Sequence, residues 1–190
     1  GQRDRLYERA AHNAEHLKRL TDSLAEVARL DNPEFKASPE PLALGELADD
    51  VTQRFSSRAE EKDVRLAVDY PDGMPLSQLD ASLIERALYN LIDNALRVTP
   101  DGGEVRVAVV RDKDGLRVEV SDSGPGVSAE DQQHVFDLFY QANKHRDTRG
   151  SSGLGLSVVR RVAELHGGWA GIRNRAGKGS TFYIQLPQGV

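Results

Sequence analysis

The apolar positions keep one helical rhythm at the start of the chain and change it afterwards. Leu6, Ala10, Asn13, Leu17, Leu20, Leu24 and Val27 follow alternating steps of four and three, a heptad seam that predicts one long helix over residues 2–30. Such a seam asks for a partner helix rather than a globular pocket. The stretch up to Lys36 is densely charged with both signs, as a solvated helix face or a linker would also be. The persistence of the seam favours half of a dimerising bundle. It stops at Asp31-Asn32-Pro33, where proline ends the helix.

Beyond Pro39, Pro41 and Gly45 the pattern predicts a helix from about Glu46 to Lys62, with Leu47, Val51 and Phe55 at four-residue steps. Residues 64–68 alternate like a half-buried strand, and Pro71-Asp72-Gly73 is turn chemistry. Asp80 can cap a helix that runs to about Val98 and stops before Pro100-Asp101-Gly102-Gly103. Val105, Val107 and Val109, then Leu116, Val118 and Val120, alternate on either side of Asp114-Gly115 and predict a hairpin. A short helix is expected from Ser128 to Asp137, a polar segment over 140–152, a helix from Leu154 to Leu165, and a closing hairpin, 169–174 and 180–186, across Gly177-Lys178-Gly179. Helices interleave with strands, two hairpins are antiparallel, and no internal repeat appears. The expected fold is therefore an α/β two-layer sandwich with a mixed sheet, residues 37–190, preceded by a separate helical region, residues 1–36.

Composition narrows the class. The chain has 190 residues, 25 Lys+Arg against 30 Asp+Glu, a formal charge of −5 and 38% hydrophobic residues. A chain of this length can bury a substantial core without staples. Its mildly acidic balance argues against broad nucleic-acid binding. Zero cysteines leave no disulfide and no thiolate metal site, which fits a cytosolic chain. No stretch approaches the ~20 apolar residues of a membrane span, and the first 30 residues do not read as a signal peptide.

Candidate chemistry begins on the helix at 80–98. Leu83, Ala87, Leu88, Leu91, Ile92 and Ala95 form its apolar stripe, while Arg86, Asn90, Asn94 and Arg97 recur on another side. Asparagine is a poor mid-helix residue. A solvated polar face explains the set; so does a site in which amide oxygens meet a hard cation and Arg97 meets phosphate. Asp122 shares strand parity with Leu116, Val118 and Val120, so it points inward and needs donors. Ser123-Gly124-Pro125-Gly126 follows, and its glycines let a flat ligand approach the backbone. There an aspartate can accept from an exocyclic amine such as adenine N6, although an Asp-Ser-Gly turn is common in isolation. Gly150-Ser151-Ser152-Gly153-Leu154-Gly155-Leu156-Ser157 is a glycine-rich helix entry whose free amides suit phosphate. It is not a P-loop, because Leu156 stands where lysine is needed, and Val158 breaks the dinucleotide fingerprint. Lys144, Arg146 and Arg149 precede it, either as scattered loop charge or as a lid over phosphates.

The order of these features carries more than any one of them. Asn90-Leu91-Ile92-Asp93-Asn94-Ala95, Asp122-Ser123-Gly124-Pro125-Gly126, Phe136-Asp137-Leu138-Phe139, Gly153-Leu154-Gly155-Leu156 and Gly177-Lys178-Gly179-Ser180-Thr181-Phe182 resemble, in order and spacing, the ordered boxes of the catalytic domain of bacterial sensor histidine kinases. Leu165-His166-Gly167-Gly168 and Leu186-Pro187 are similar as well, and residues 2–30 resemble the second helix of that family's dimerisation and phosphotransfer bundle. The resemblance implies the ATP-binding sandwich shared with gyrase, Hsp90 and MutL. It implies ATP and Mg²⁺ as ligands, with Asn94 on the metal, Asn90 beside it near the γ-phosphate, and Arg97 on phosphate. It implies that Asp122 selects adenine with help from Thr181, that Gly124 and Gly126 admit the ring, and that Phe136 and Phe139 anchor the lid. Tyr140, Lys144, Arg146, Arg149, Gly153, Leu154, Gly155 and Leu156 complete the implied ATP contacts, and His166 is assigned to packing. The implied partners are a phosphotransfer histidine of the same kinase, a response-regulator receiver domain and a second copy of the kinase, with no nucleic acid. The implied setting is the cytoplasmic portion of a kinase anchored in the bacterial inner membrane.

Two departures shape the expectation. Gln141 stands where the family often has arginine, two residues after the second lid phenylalanine. His12 and His16 lack the family's acceptor motif, with no proline in range, so the acceptor histidine is expected outside this sequence. In the related ATPases a glutamate one helical turn before the metal-binding asparagine activates water; here Asn90 occupies that place. Transfer to a bound nucleophile, with slow hydrolysis, is therefore expected. The rivals are a clamp ATPase, a protein-serine kinase on the same fold, and a degenerate scaffold, against which the missing glutamate, the heptad helix and the intact asparagines respectively speak.

Overall fold

The computed structural model describes residues 2–113, 115–141, 153–174 and 179–187. A long helix, α1 (Gln2–Leu30), leads into β1 (Glu40–Leu42), α2 (Leu44–Gln53), α3 (Ser56–Glu61), β2 (Arg65–Asp69), β3 (Ser77–Leu79) and α4 (Ala81–Val98). Then come β4 (Glu104–Asp112), β5 (Gly115–Asp122), α5 (Ala129–Gln132), α6 (Gly155–Leu165), β6 (Trp169–Asn174) and β7 (Ser180–Leu186). The main sheet has the order β2-β4-β5-β7-β6. β2 runs parallel to β4, and the other neighbours are antiparallel. This is the expected mixed sheet.

Strand parity divides its two faces. Val105, Val107, Val109, Leu116, Val118, Val120, Phe182, Ile184 and Leu186 are buried beneath the helices. α4 presents Leu83, Ile84, Ala87, Leu88, Leu91, Ile92, Ala95 and Leu96 to this core, and α6 presents Val158, Val159, Val162 and Ala163. Each large side chain buried this way contributes about 1.5–3 kcal/mol.

The structure corrects two expected elements and adds a third feature. The helix expected over 46–62 breaks at Arg54-Phe55 into α2 and α3, and the break seats Phe55 in the core against Tyr89, ring centroids 4.8 Å apart. The helix expected over 128–137 is only α5, capped by Ser128; the chain then wraps inward to bury Val135 and bring Phe136 edge-on to Phe182. β1 and β3 pair antiparallel as a small second sheet that the alternation did not reveal. The closing hairpin forms, although residues 175–178 lie outside the described residues.

α1 is helical as expected. Val27 and Leu30 are buried, Arg86 of α4 pairs with Glu26 at 2.7 Å, and Arg161 of α6 donates to Leu30 O at 2.9 Å. Leu17 and Leu24 of the heptad seam stay exposed, at 61% and 49%. Among the described residues no helix is long and apolar enough to cross a membrane.

Candidate functional site

α4 is the wall on which the site is built, and its first turn is fastened on several sides. Asp80 caps it, Oδ1 accepting from Leu83 N at 3.1 Å, while Oδ2 accepts from Ser38 N at 2.9 Å. Burial pushes the Asp80 carboxyl up, but hydrogen bonds from the Ser38 and Leu83 amides and the Ser82 hydroxyl outweigh it and hold the group below its ordinary value. Asp80 N in turn donates to His166 Nε2 at 3.0 Å, and His166 Nδ1 donates to Val162 O at 2.8 Å. His166 is buried with both ring nitrogens engaged, a packing and hydrogen-bonding role tying the end of α6 to the start of α4.

The polar side of α4 divides. Arg86 turns to α1, Asn90 faces the beginning of α6, and Asn94 and Arg97 bond to each other. Asn90 Nδ2 is buried and has no hydrogen-bond partner among the described residues. Its Oδ1 lies against Gly155, where an added Cβ would come within 3.2 Å. α6 starts there with Leu154 at its N-cap and no side-chain cap. An uncapped helix start beside an unpartnered buried amide fits a ligand bearing anionic oxygens. Asn94 Oδ1 accepts from Arg97 Nη2 at 2.5 Å, so this oxygen already faces a cation. Desolvation lowers the Arg97 pKa, with Asp93 opposing and Arg58 adding to that shift.

Asp122 is 0% exposed at the end of β5. Its Oδ1 accepts from Gly124 N at 2.8 Å, and its Oδ2 accepts from Ser180 Oγ at 2.6 Å. A carboxylate oxygen accepts two hydrogen bonds, so Oδ2 keeps room for one more donor. Gly124 lies over Val98 O, with an added Cβ only 2.9 Å away, which seats the turn on the last residues of α4. Gly126 has φ +76° beside Gly179 O and Asn174. Asn174 holds this turn by accepting from Val127 N at 3.1 Å and donating to Val127 O at 2.6 Å.

Several expected contacts need correction. Thr181 stands on the opposite face of the sheet from Asp122, with its Oγ1 2.8 Å from Ser121 Oγ. Ser180 is the residue that meets Asp122. Its parity with Phe182, Ile184 and Leu186 was the signal that could have found it. The Leu154 side chain is fully buried, and Leu156 packs against the core, so only their backbones can serve a ligand. Tyr140 donates to Asp131 Oδ1 at 2.5 Å; this bond leads the effects that push its pKa up to about 12, and it turns the hydroxyl to α5. Phe136 packs inward, but the Phe139 side chain is 59% exposed; at this residue it is the backbone that anchors, its N–H donating to Gly153 O at 3.0 Å. Lys144, Arg146 and Arg149 lie outside the described residues. Asn174 was not singled out beforehand, because a lone Asn between motifs carries no pattern, and Asp93 stood inside the first box without a role.

The structure thus joins Asn90 to Gly155, Arg97 to Asn94, and Asp122 to Gly124 and Ser180, with Gly124 seated on Val98 at the end of α4. The family described as histidine kinase-, DNA gyrase B- and HSP90-like ATPase matches residues 79–190. The sensor protein DivL of Caulobacter vibrioides is 36% identical over 175 residues, covering 92% of this chain and 22% of the relative. The alginate biosynthesis sensor protein KinB of Pseudomonas aeruginosa is 32% identical, covering 88% and 28%. Full-length ShkA in complex with AMPPNP superimposes with a TM-score of 0.81 at 26% identity, covering 98% of this chain and 40% of that one. The chain spans about an eighth to a half of the length of the curated relatives it matches. A mixed sheet under two long helices and these likenesses lead to one assignment: the chain belongs to the histidine kinase-, DNA gyrase B- and HSP90-like ATPase family and carries the ATPase domain of a sensor histidine kinase.

Proposed function

We propose that this domain binds Mg-ATP along α4 and passes the γ-phosphoryl group to a histidine nitrogen of the kinase's phosphotransfer region, for relay to a response-regulator aspartate. The observation that carries the reading is Asn90: a buried amide with an unpartnered Nδ2, at the position where a water-activating base would sit. An amide can donate to a phosphate oxygen but cannot take a proton from water. The site can therefore hold the triphosphate without promoting its hydrolysis.

Asp122 Oδ2, steadied by Ser180, would accept the adenine amine. The Gly155 and Leu156 amides at the start of α6, with Arg97, would hold the phosphates. Asn94 Oδ1 would supply the protein oxygen for magnesium. Magnesium often keeps several water ligands and shares its remaining positions between a protein oxygen and phosphate. Magnesium, when bound, neutralises charge on the phosphate oxygens. The protein contributes positioning and charge.

Partners follow at the same level of proposal. The exposed Leu17 and Leu24 support a second helix, hence a homodimer, along α1. ThkA, a fold neighbour with a TM-score of 0.76 at 23% identity, has been crystallised with the response regulator TrrA. We place this chain in the cytoplasmic part of such a kinase.

The test is steady-state phosphate release by the purified chain with Mg-ATP, beside a nucleotide titration. Slow release with saturable ATP binding, weakened at least tenfold by Asn94→Ala, is expected. Rapid release abolished by Asn94→Ala would mean a hydrolase instead.

A further inference from the structure

Arg97 is not held by Asn94 alone. Asp93 lies between two guanidiniums: Oδ2 is 3.8 Å from Arg97 Nη1, while Oδ1 accepts from Arg58 Nη1 of α3. The split is uneven, because Arg58 makes the direct hydrogen bond and Arg97 only the longer approach. Asp93 and Arg97 are one helical turn apart on α4, the spacing that normally closes into a full ion pair. Here the pair stays at the longer distance while Arg58 bonds the other carboxylate oxygen. α3 is also fastened at its end, since Lys62 Nζ donates to Leu96 O at 2.7 Å and to Thr99 O at 2.8 Å, the last carbonyls of α4. Arg58 thus has a fixed base, and it lies outside residues 79–190, which the family matches.

We infer that Arg58 is a positioning residue for the nucleotide site: by engaging Asp93 it keeps the Arg97 guanidinium available to an anionic ligand. Three-quarters of the Arg97 side chain is out of solvent, with 25% exposed, so its charge is poorly screened by water and strongly felt by a phosphate. Removing Arg58 frees Asp93 Oδ1. The carboxylate then closes on Arg97, and the phosphate must compete with it. The repulsion between Arg58 and Arg97 acts in the same direction, favouring an anion at Arg97.

The inference rests on the proposed contact between Arg97 and phosphate. It is tested by titrating the full chain with Mg-ATP in wild type, Arg58→Gln, Arg58→Gln/Asp93→Asn, Arg97→Gln and Arg97→Gln/Arg58→Gln, with urea midpoints alongside. Arg58→Gln is expected to weaken binding roughly three- to tenfold, the partial loss of a charge-assisted contact. Adding Asp93→Asn should restore affinity, and in the Arg97→Gln background Arg58→Gln should do nothing further. A merely structural ion pair would lower the urea midpoint without rescue of binding by Asp93→Asn, which overturns the inference. So would a loss that persists without Arg97, since that is a general field effect. Wild-type affinity in Arg97→Gln would instead remove the underlying phosphate assignment, and no binding by the wild type would remove the proposed function itself.

Discussion

Asp122 shows how one side chain can be read from sequence and still need its neighbours. Its inward direction follows from alternation with Val118 and Val120, and the structure places it fully buried. Its partners are Gly124 N–H and the Ser180 hydroxyl, so Asp122→Ala should remove the proposed adenine acceptor and also orphan buried donors. We expect at least a tenfold loss of ATP affinity and a destabilisation of about 1–3 kcal/mol, read from ATP titration and urea unfolding of the same variant. Gly179 makes the complementary case. An added Cβ would sit 1.9 Å from Asp122 O at a φ of +77°. Gly179→Ala should therefore cost more than about 2 kcal/mol, against about 1 kcal/mol for Gly73→Ala, where φ is +68° but nothing lies within 4 Å. Equal urea midpoints for the two variants would refute the steric account. Parity also explains the exchange of Thr181 for Ser180. A motif names positions in order, but in a strand neighbouring residues face opposite ways, and only register with β5 shows which one shares a face with Asp122.

The elements that hold the site are α4 and its fasteners. Asp80 gathers the α4 cap, the Ser38 amide and the His166 contact into one junction. Asp80→Ala should cost about 1–2 kcal/mol near neutral pH. Because the folded carboxyl lies below its ordinary value of 3.8, its stabilisation is present above that value and is lost as pH falls through the lower, folded one. The gap between wild type and Asp80→Ala should therefore narrow below pH 3.8, and a gap that stays constant in urea midpoints down to strongly acid pH would contradict the linkage. The long elements were legible because each repeats its period: α4, α6, β4, β5 and β7 all appear close to where the apolar pattern puts them. β1 and β3 have three residues each, too few for an alternation to stand out, and they exist through each other. The break between α2 and α3 falls inside an unbroken helical period, since it is set by where Phe55 must go to reach Tyr89.

At the scale of the whole molecule, α1 makes two kinds of contact. Its C-terminal end is bound to α4 and α6 through Val27, Leu30, Glu26 and Arg161, while Leu17 and Leu24 remain open. Leu24→Glu should weaken self-association severalfold in sedimentation or size-exclusion measurements, with ATP affinity unchanged. A loss of ATP affinity instead would place Leu24 in the ATPase core rather than at a dimer seam. Sequence alone determined the class of fold, the helix carrying Asn90, Asn94 and Arg97, the inward acid at 122 and the glycine-rich helix start, because periodicity and backbone freedom are local properties written in side-chain type. Tertiary structure decided which of these residues meet. It turned Arg86 to α1, set Ser180 rather than Thr181 on Asp122, sent the Tyr140 hydroxyl to Asp131, and brought Arg58 to Asp93. Those choices depend on strand register and on how helices far apart in sequence pack together, and neither quantity is carried by any single segment of the chain.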